Sequence, residues 1–139
     1  MKKLILAAAL AVLMLFSAVS LADTGIEPYA SLYFDSYSVS ITPKAGGKLN
    51  VRMATTGVEQ SYSLGVASFQ LQKKVNGTFQ DVADEQSGSV GYNTIEHSFT
   101  RTCTVVPGEV YRVKVLFVCD NSHGFKSQTF YSASAKAID

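Results

Sequence analysis

The chain has 139 residues, 47% of them hydrophobic, with 12 Lys and Arg set against 11 Asp and Glu. That length suits one domain, and the hydrophobic content argues against a disordered chain. The charges are balanced and scattered, which argues against a nucleic-acid partner, since neutralising phosphates needs clustered Lys and Arg.

Met1-Lys2-Lys3 is followed by an uncharged Ala- and Leu-rich run from Leu4 to Phe16 and then by Ser17, Ala18, Val19, Ser20, Leu21 and Ala22. A charged start, an apolar middle and a small-x-small end are the parts of a secretory signal peptide, with cleavage between Ala22 and Asp23. The alternative is a membrane anchor, because the uncharged stretch to Ala22 is about as long as a bilayer span. Small residues at Ser20 and Ala22 suit the cleavage pocket and favour release. The leader has no Cys for lipid attachment, and Ala133 to Asp139 do not resemble a second anchor. The expectation is a bacterial, secreted protein without a stable membrane anchor. It divides into a signal peptide over 1–22, a linker over 23–30 and a domain over 31–139. In that setting Asn76-Gly77-Thr78 reads as a turn rather than a glycosylation site.

Beyond the linker, apolar residues alternate in steps of two and turn residues interrupt every eight to a dozen positions, the pattern of an all-β sandwich or barrel. A first strand puts Tyr37, Val39 and Ile41 on one face and Ser36, Ser38 and Ser40 on the other, ending at Pro43 and Gly46-Gly47. A second places Leu49, Val51 and Met53 inward and Asn50 and Arg52 outward. A third, about Val66 to Val75, runs into Asn76-Gly77, a strong hairpin signal because both central residues of a type I′ turn need positive φ. A two-residue loop pairs Val75 with Thr78, Lys74 with Phe79 and Leu71 with Val82, which places Phe69, Leu71 and Val82 in the core and leaves Phe79 outside. Asp84 to Asn93 is polar and Gly-containing, hence a long connection with at most a short strand. A fifth strand, about Glu96 to Val105, meets Pro107-Gly108. A sixth, Val110 to Cys119, turns Tyr111, Val113, Val115 and Phe117 to one face. Asp120 to Gly124 form a polar turn, and the last strand runs from Phe125 to about Ala135. The expected fold is a seven-stranded antiparallel sandwich.

Two Cys in an exported protein suggest a disulfide. If the fifth and sixth strands fold back about Pro107-Gly108, however, Cys103 lies across from roughly Arg112 and Cys119 lies about 23 Å farther, at ~3.3 Å per residue. A disulfide tolerates Cα separations of about 4.4 to 6.8 Å. Free thiols are expected.

The stretch Phe69 to Phe79, with its Asn76-Gly77 turn, followed by Pro107-Gly108-Glu109-Val110-Tyr111-Arg112-Val113, resembles the C to C′ hairpin and the E to F corner of fibronectin type III and other immunoglobulin-like sandwiches. The resemblance implies that Tyr111 enters the core with its hydroxyl on a backbone partner near the corner. The chain departs from the immunoglobulin pattern in having no Trp and no Cys-Trp-Cys core. From its leader through Glu27-Pro28-Tyr29 to the Gln72-Lys73-Lys74 and Tyr111-Arg112 strands, it resembles small secreted proteins of unknown function from gut clostridia and their relatives. That resemblance implies a fold and a location and carries no catalytic residue.

The chemistry-bearing residues are sparse. His97 and His123 are the only histidines, and neither has a second ligand at metal spacing. Asp120-Asn121-Ser122-His123-Gly124 sets Asp, Ser and His side by side, but neighbours in one tight turn seldom form a nucleophile, base and orienter, and turn chemistry accounts for the same letters. The loop has too few oxygen donors for calcium. The glycine clusters at Gly46-Gly47 and Gly88 to Gly91 match no phosphate loop. No cofactor and no catalytic residue are expected. The leading expectation is an exported, non-catalytic interaction module for an extracellular protein or glycan. Its binding loops gather Tyr62, Tyr92, Asp120 and His123 at one end of the sandwich. A carbohydrate-binding module using Tyr62, Phe79, Tyr92 and Phe125 is the first alternative, and a secreted enzyme built on His97 or His123 the second.

Overall fold

The structure, a computed structural model, describes residues 31–139; the expected leader, linker and Ala22-Asp23 cleavage site lie outside the described residues. The strands are β1 Phe34–Lys44, β2 Lys48–Val75, β3 Thr78–Asp81, β4 Gln86–Ser87, β5 Val90–Thr104, β6 Val110–Asn121, β7 Gly124–Tyr131 and β8 Ala135–Lys136, with no helix among the described residues. All pairings are antiparallel. They join into one eight-stranded sheet that curls on itself as a half-barrel.

The second and third expected strands are one element. β2 continues through the polar stretch that separates them, and its register against β5 skips between Thr56 and Ser61. That skip is how a strand bends without ending. One edge of β2 carries β1 along its first half and β6 along its second; the other edge carries β5, then β4, then β3. The bend turns the two halves toward each other around one core. Leu49, Val51 and Met53 come from the first half, Leu64, Val66, Phe69 and Leu71 from the second, Tyr37 and Val39 from β1, and Tyr111, Val113, Val115 and Phe117 from β6. Full burial of each such apolar side chain contributes about 1.5–3 kcal/mol before entropy is charged against it.

The Asn76-Gly77 hairpin has the expected form. Both residues have positive φ, at 51° and 81°, and Val75 pairs with Thr78 and Lys74 with Phe79. Val82 departs from expectation. Its N–H reaches the Leu71 carbonyl at 3.2 Å, but β3 has ended at Asp81 and the side chain is 42% exposed. The expected connection over Asp84 to Asn93 contains β4 and the start of β5. Pro43 lies within β1, opposite Leu49, as an edge strand permits. Asp120 and Asn121 close β6, leaving Ser122 and His123 as the turn before β7.

Pro107-Gly108 does not fold β5 back on β6. β5 pairs with β2 on one edge and β6 with β2 on the other, so the corner crosses between the two limbs of the curl. Cys103 therefore lies opposite Leu49 and Cys119 opposite Leu64. Both thiols are free, for a reason other than the hairpin register expected from the sequence. At the corner, Tyr111 is buried and its hydroxyl oxygen accepts the Val106 N–H at 3.0 Å.

Candidate binding face

Cross-strand pairing builds the site. Ser63 on β2 lies opposite Tyr92 on β5 and opposite Asp120 on β6, and Asp120 lies opposite Phe125 on β7. Residues directly opposite in an antiparallel ladder share a face, so the four form one row across the outside of the sheet. Tyr92 is 74% exposed and Phe125 64%, and Tyr62, beside Ser63 in the chain, is 61% exposed. Two of the expected residues, Tyr92 and Asp120, are thus brought together, and Phe125 joins them; Tyr62, one position from Ser63 in β2, is exposed but falls outside this row, because neighbouring strand residues point to opposite faces.

His123 sits at the tip of a clamped turn. Its N–H donates to Asn121 Oδ1 at 2.9 Å and its carbonyl accepts the Tyr33 hydroxyl at 3.2 Å. Asn121 Nδ2 donates to the Leu32 carbonyl at 2.9 Å. The Ser122 N–H donates to Glu59 Oε1 at 3.0 Å, and the Ser122 hydroxyl donates to the same oxygen. The hydroxyl bond, then the backbone bond, hold the Glu59 carboxyl below its ordinary pKa, with a smaller contribution from nearby His123. Ser122 and His123 thereby resolve into turn bonds, and the partner of the Ser122 hydroxyl is a carboxylate from β2, not a base within the turn.

His97 is also accounted for by packing. Ser89 Oγ lies 2.9 Å from its Nε2, and its ring is 6.1 Å from that of Phe99. A Cβ on Gly91 would meet His97 Nδ1 at 2.7 Å, so the glycine makes room for the ring. No group of three or more His, Cys, Asp and Glu side chains among the described residues is placed to hold a metal ion.

The outer face continues along β6 to Phe79, a ring of the carbohydrate alternative, and to Arg112, Lys114 and Tyr131, which were not expected in a site. Arg112 lies over the Phe79 ring at 4.2 Å and over the Tyr131 ring at 4.5 Å. Its Nε donates to Gln72 Oε1 at 2.8 Å, and Gln72 Nε2 donates to Asp81 Oδ1 at 2.9 Å. Beside this stack is a groove of about 280 Å³ lined by Gln70, Asp81, Glu85, Lys114, Leu116 and Thr129. The hairpin register already set Lys74 and Phe79 on the outside, and the alternation of β6 set Arg112 and Lys114 opposite the core-facing Tyr111 and Val113. What linked them was the β2 to β6 register, which no local signal encodes.

On the inner side, Cys103 lines a smaller cleft of about 260 Å³ with Phe69, Leu71, Ala83 and Arg101. Burial pushes its thiol pKa up. Cys119 is fully buried, and burial raises its pKa too, opposed by its hydrogen bond with Ser61. Neither thiol is activated as a nucleophile. No known protein family matches the chain, and no curated protein matches it.

Proposed function

We propose that the chain is an exported, non-catalytic binding module with a fibronectin type III-like sandwich architecture, and that its ligand surface is the outside of the sheet formed by β2, β6 and β7 with the start of β5. The architecture is supported by the grouping of strands, β1-β2-β5 on one limb and β3-β2-β6-β7 on the other, and by the Tyr111 corner. The observation that carries the function is the row Tyr92, Ser63, Asp120 and Phe125, two exposed rings flanking polar groups on a rigid frame. Exposed aromatic side chains supply large contact area at low entropic cost. The partner is an extracellular protein or glycan.

Two experiments test this. Mass spectrometry of the exported protein is expected to find Asp23 at the amino terminus, and an intact leader would count for the anchor instead. Retention of the exported protein on glycan arrays and extracellular protein fractions is expected to be lost in a Tyr92→Ala, Phe125→Ala variant. Retention unchanged in that variant would remove this face as the ligand surface.

A further inference from the structure

We infer that this face takes an acidic polysaccharide, with Arg112 and Lys114 receiving the carboxylate of a uronate unit; the inference rests on the reading of the outer face as the ligand surface. A peptide that docks by strand addition needs an open backbone edge. Here the backbone of β2 from residue 68 to 73 is paired with β6 on one side and meets β4 and β3 on the other, and β6 is paired in turn with β7. Apart from the outer edge of β7, which pairs with β6 alone, the face offers side chains: rings, amides, hydroxyls and charges, the groups that recognise sugar rings and their hydroxyls.

Two cations without a carboxylate partner among the described residues favour an acidic sugar. Two carboxylates border the groove, and both accept hydrogen bonds from neutral donors, Asp81 from Gln72 and Glu85 from Ser68. Arg112 bonds to an amide, and no ion pair joins Arg112 or Lys114 to a carboxylate among the described residues. The guanidinium is held between two rings and fixed at Nε, so its remaining donors are oriented before a ligand arrives. A planar fork matches a carboxylate in two parallel bonds, and prior ordering lowers the entropic cost of binding. Lys114 lies two positions along the same face. From Arg112 to Asp120, β6 runs about 26 Å at ~3.3 Å per residue, which leaves room for an extended chain to reach the Tyr92 and Phe125 rings.

The test is affinity electrophoresis and calorimetry of the exported protein with polygalacturonate, alginate and hyaluronate, with fully methyl-esterified polygalacturonate and poly-glutamate as comparison ligands. Binding to at least one uronate polymer is expected. It should weaken at least about tenfold in Lys114→Gln and in Arg112→Lys, the second of which keeps the charge but loses the fork. An unchanged melting temperature for Lys114→Gln keeps the result independent of folding. Equal binding of the methyl ester would overturn the inference, as would equal binding of poly-glutamate or no binding of any uronate polymer. If the lysine and arginine variants bind normally while Tyr92→Ala and Phe125→Ala do not, the inference fails and the binding face stands.

Discussion

The hydroxyl oxygen of Tyr111 accepts the backbone N–H of Val106 at 3.0 Å, fastening the start of β6 to the crossing that leads into it. The ring is buried in the core, so packing and hydrogen bonding can be separated. Tyr111→Phe keeps the ring and leaves the Val106 N–H without its acceptor, an expected loss of about 1–2 kcal/mol. Tyr111→Ala also opens a cavity, and about 3–5 kcal/mol is expected. Urea unfolding of both variants measures the two. A loss below about 1 kcal/mol for the alanine variant would mean that the corner is not a structural anchor.

The thiols differ in access. Cys119 is fully buried and Cys103 only half-buried, and burial raises the pKa of each. Because the thiolate is the reactive form, iodoacetamide at neutral pH is expected to label the native protein slowly, and at Cys103 before Cys119. After denaturation without reductant both should be labelled. A protein two mass units lighter that takes no label would establish a bridge and contradict the pairing of β5 and β6 to opposite edges of β2.

Gly65 marks a close approach between β2 and the segment entering β5. A Cβ there would lie 2.3 Å from the Ser89 carbonyl oxygen and 2.8 Å from the Val90 Cα, both backbone atoms. Backbone cannot swing aside as a side chain can, so Gly65→Ala is expected to cost at least about 1–3 kcal/mol. The check is the shift in the denaturation midpoint. A near-neutral result would show that the two strands separate easily at this point.

Glu59 predicts a pH dependence. Its folded pKa is depressed, first by the Ser122 hydroxyl and then by the Ser122 N–H, so its contribution to stability is present above the ordinary carboxylate pKa and is lost as pH falls through the folded value. NMR titration is expected to place the Glu59 carboxyl lower in the native protein than in Ser122→Ala. The stabilities of those two proteins should converge in acid. A Glu59 titration unmoved by Ser122→Ala would contradict the turn geometry.

The alternation of Leu49, Val51 and Met53 and of Tyr111, Val113, Val115 and Phe117 disclosed the inward faces, because burial of one face imposes period two regardless of which strand lies beside it. Asn76-Gly77 disclosed a register because the turn fixes it locally. The joining of residues 48–75 into one strand was hidden, since a polar stretch inside a bent strand has the composition of a loop. Val82 was misplaced because hairpin register extends a ladder on paper past the point where β3 stops. Tyr92 and Asp120 were legible as neighbours, Tyr62 was grouped with them although strand alternation turns it from their row, and the Phe79, Arg112 and Tyr131 stack draws on β3, β6 and β7, so its assembly depends on pairings between residues distant in sequence.

The bent β2 also shapes how the chain reaches its fold. The turns at residues 45–47, 76–77 and 122–123 close hairpins between sequence neighbours, and hairpins of that kind form in about 1–10 μs. The ladders of β2 with β5 and β6 instead join remote stretches, as with Leu49 and Cys103, and loop closure must precede their reward. Topologies dominated by such pairings fold over about milliseconds to seconds. Until β5 and β6 arrive, both edges of the longest strand stay open along much of their length, which makes the nascent chain most prone to self-association in that interval.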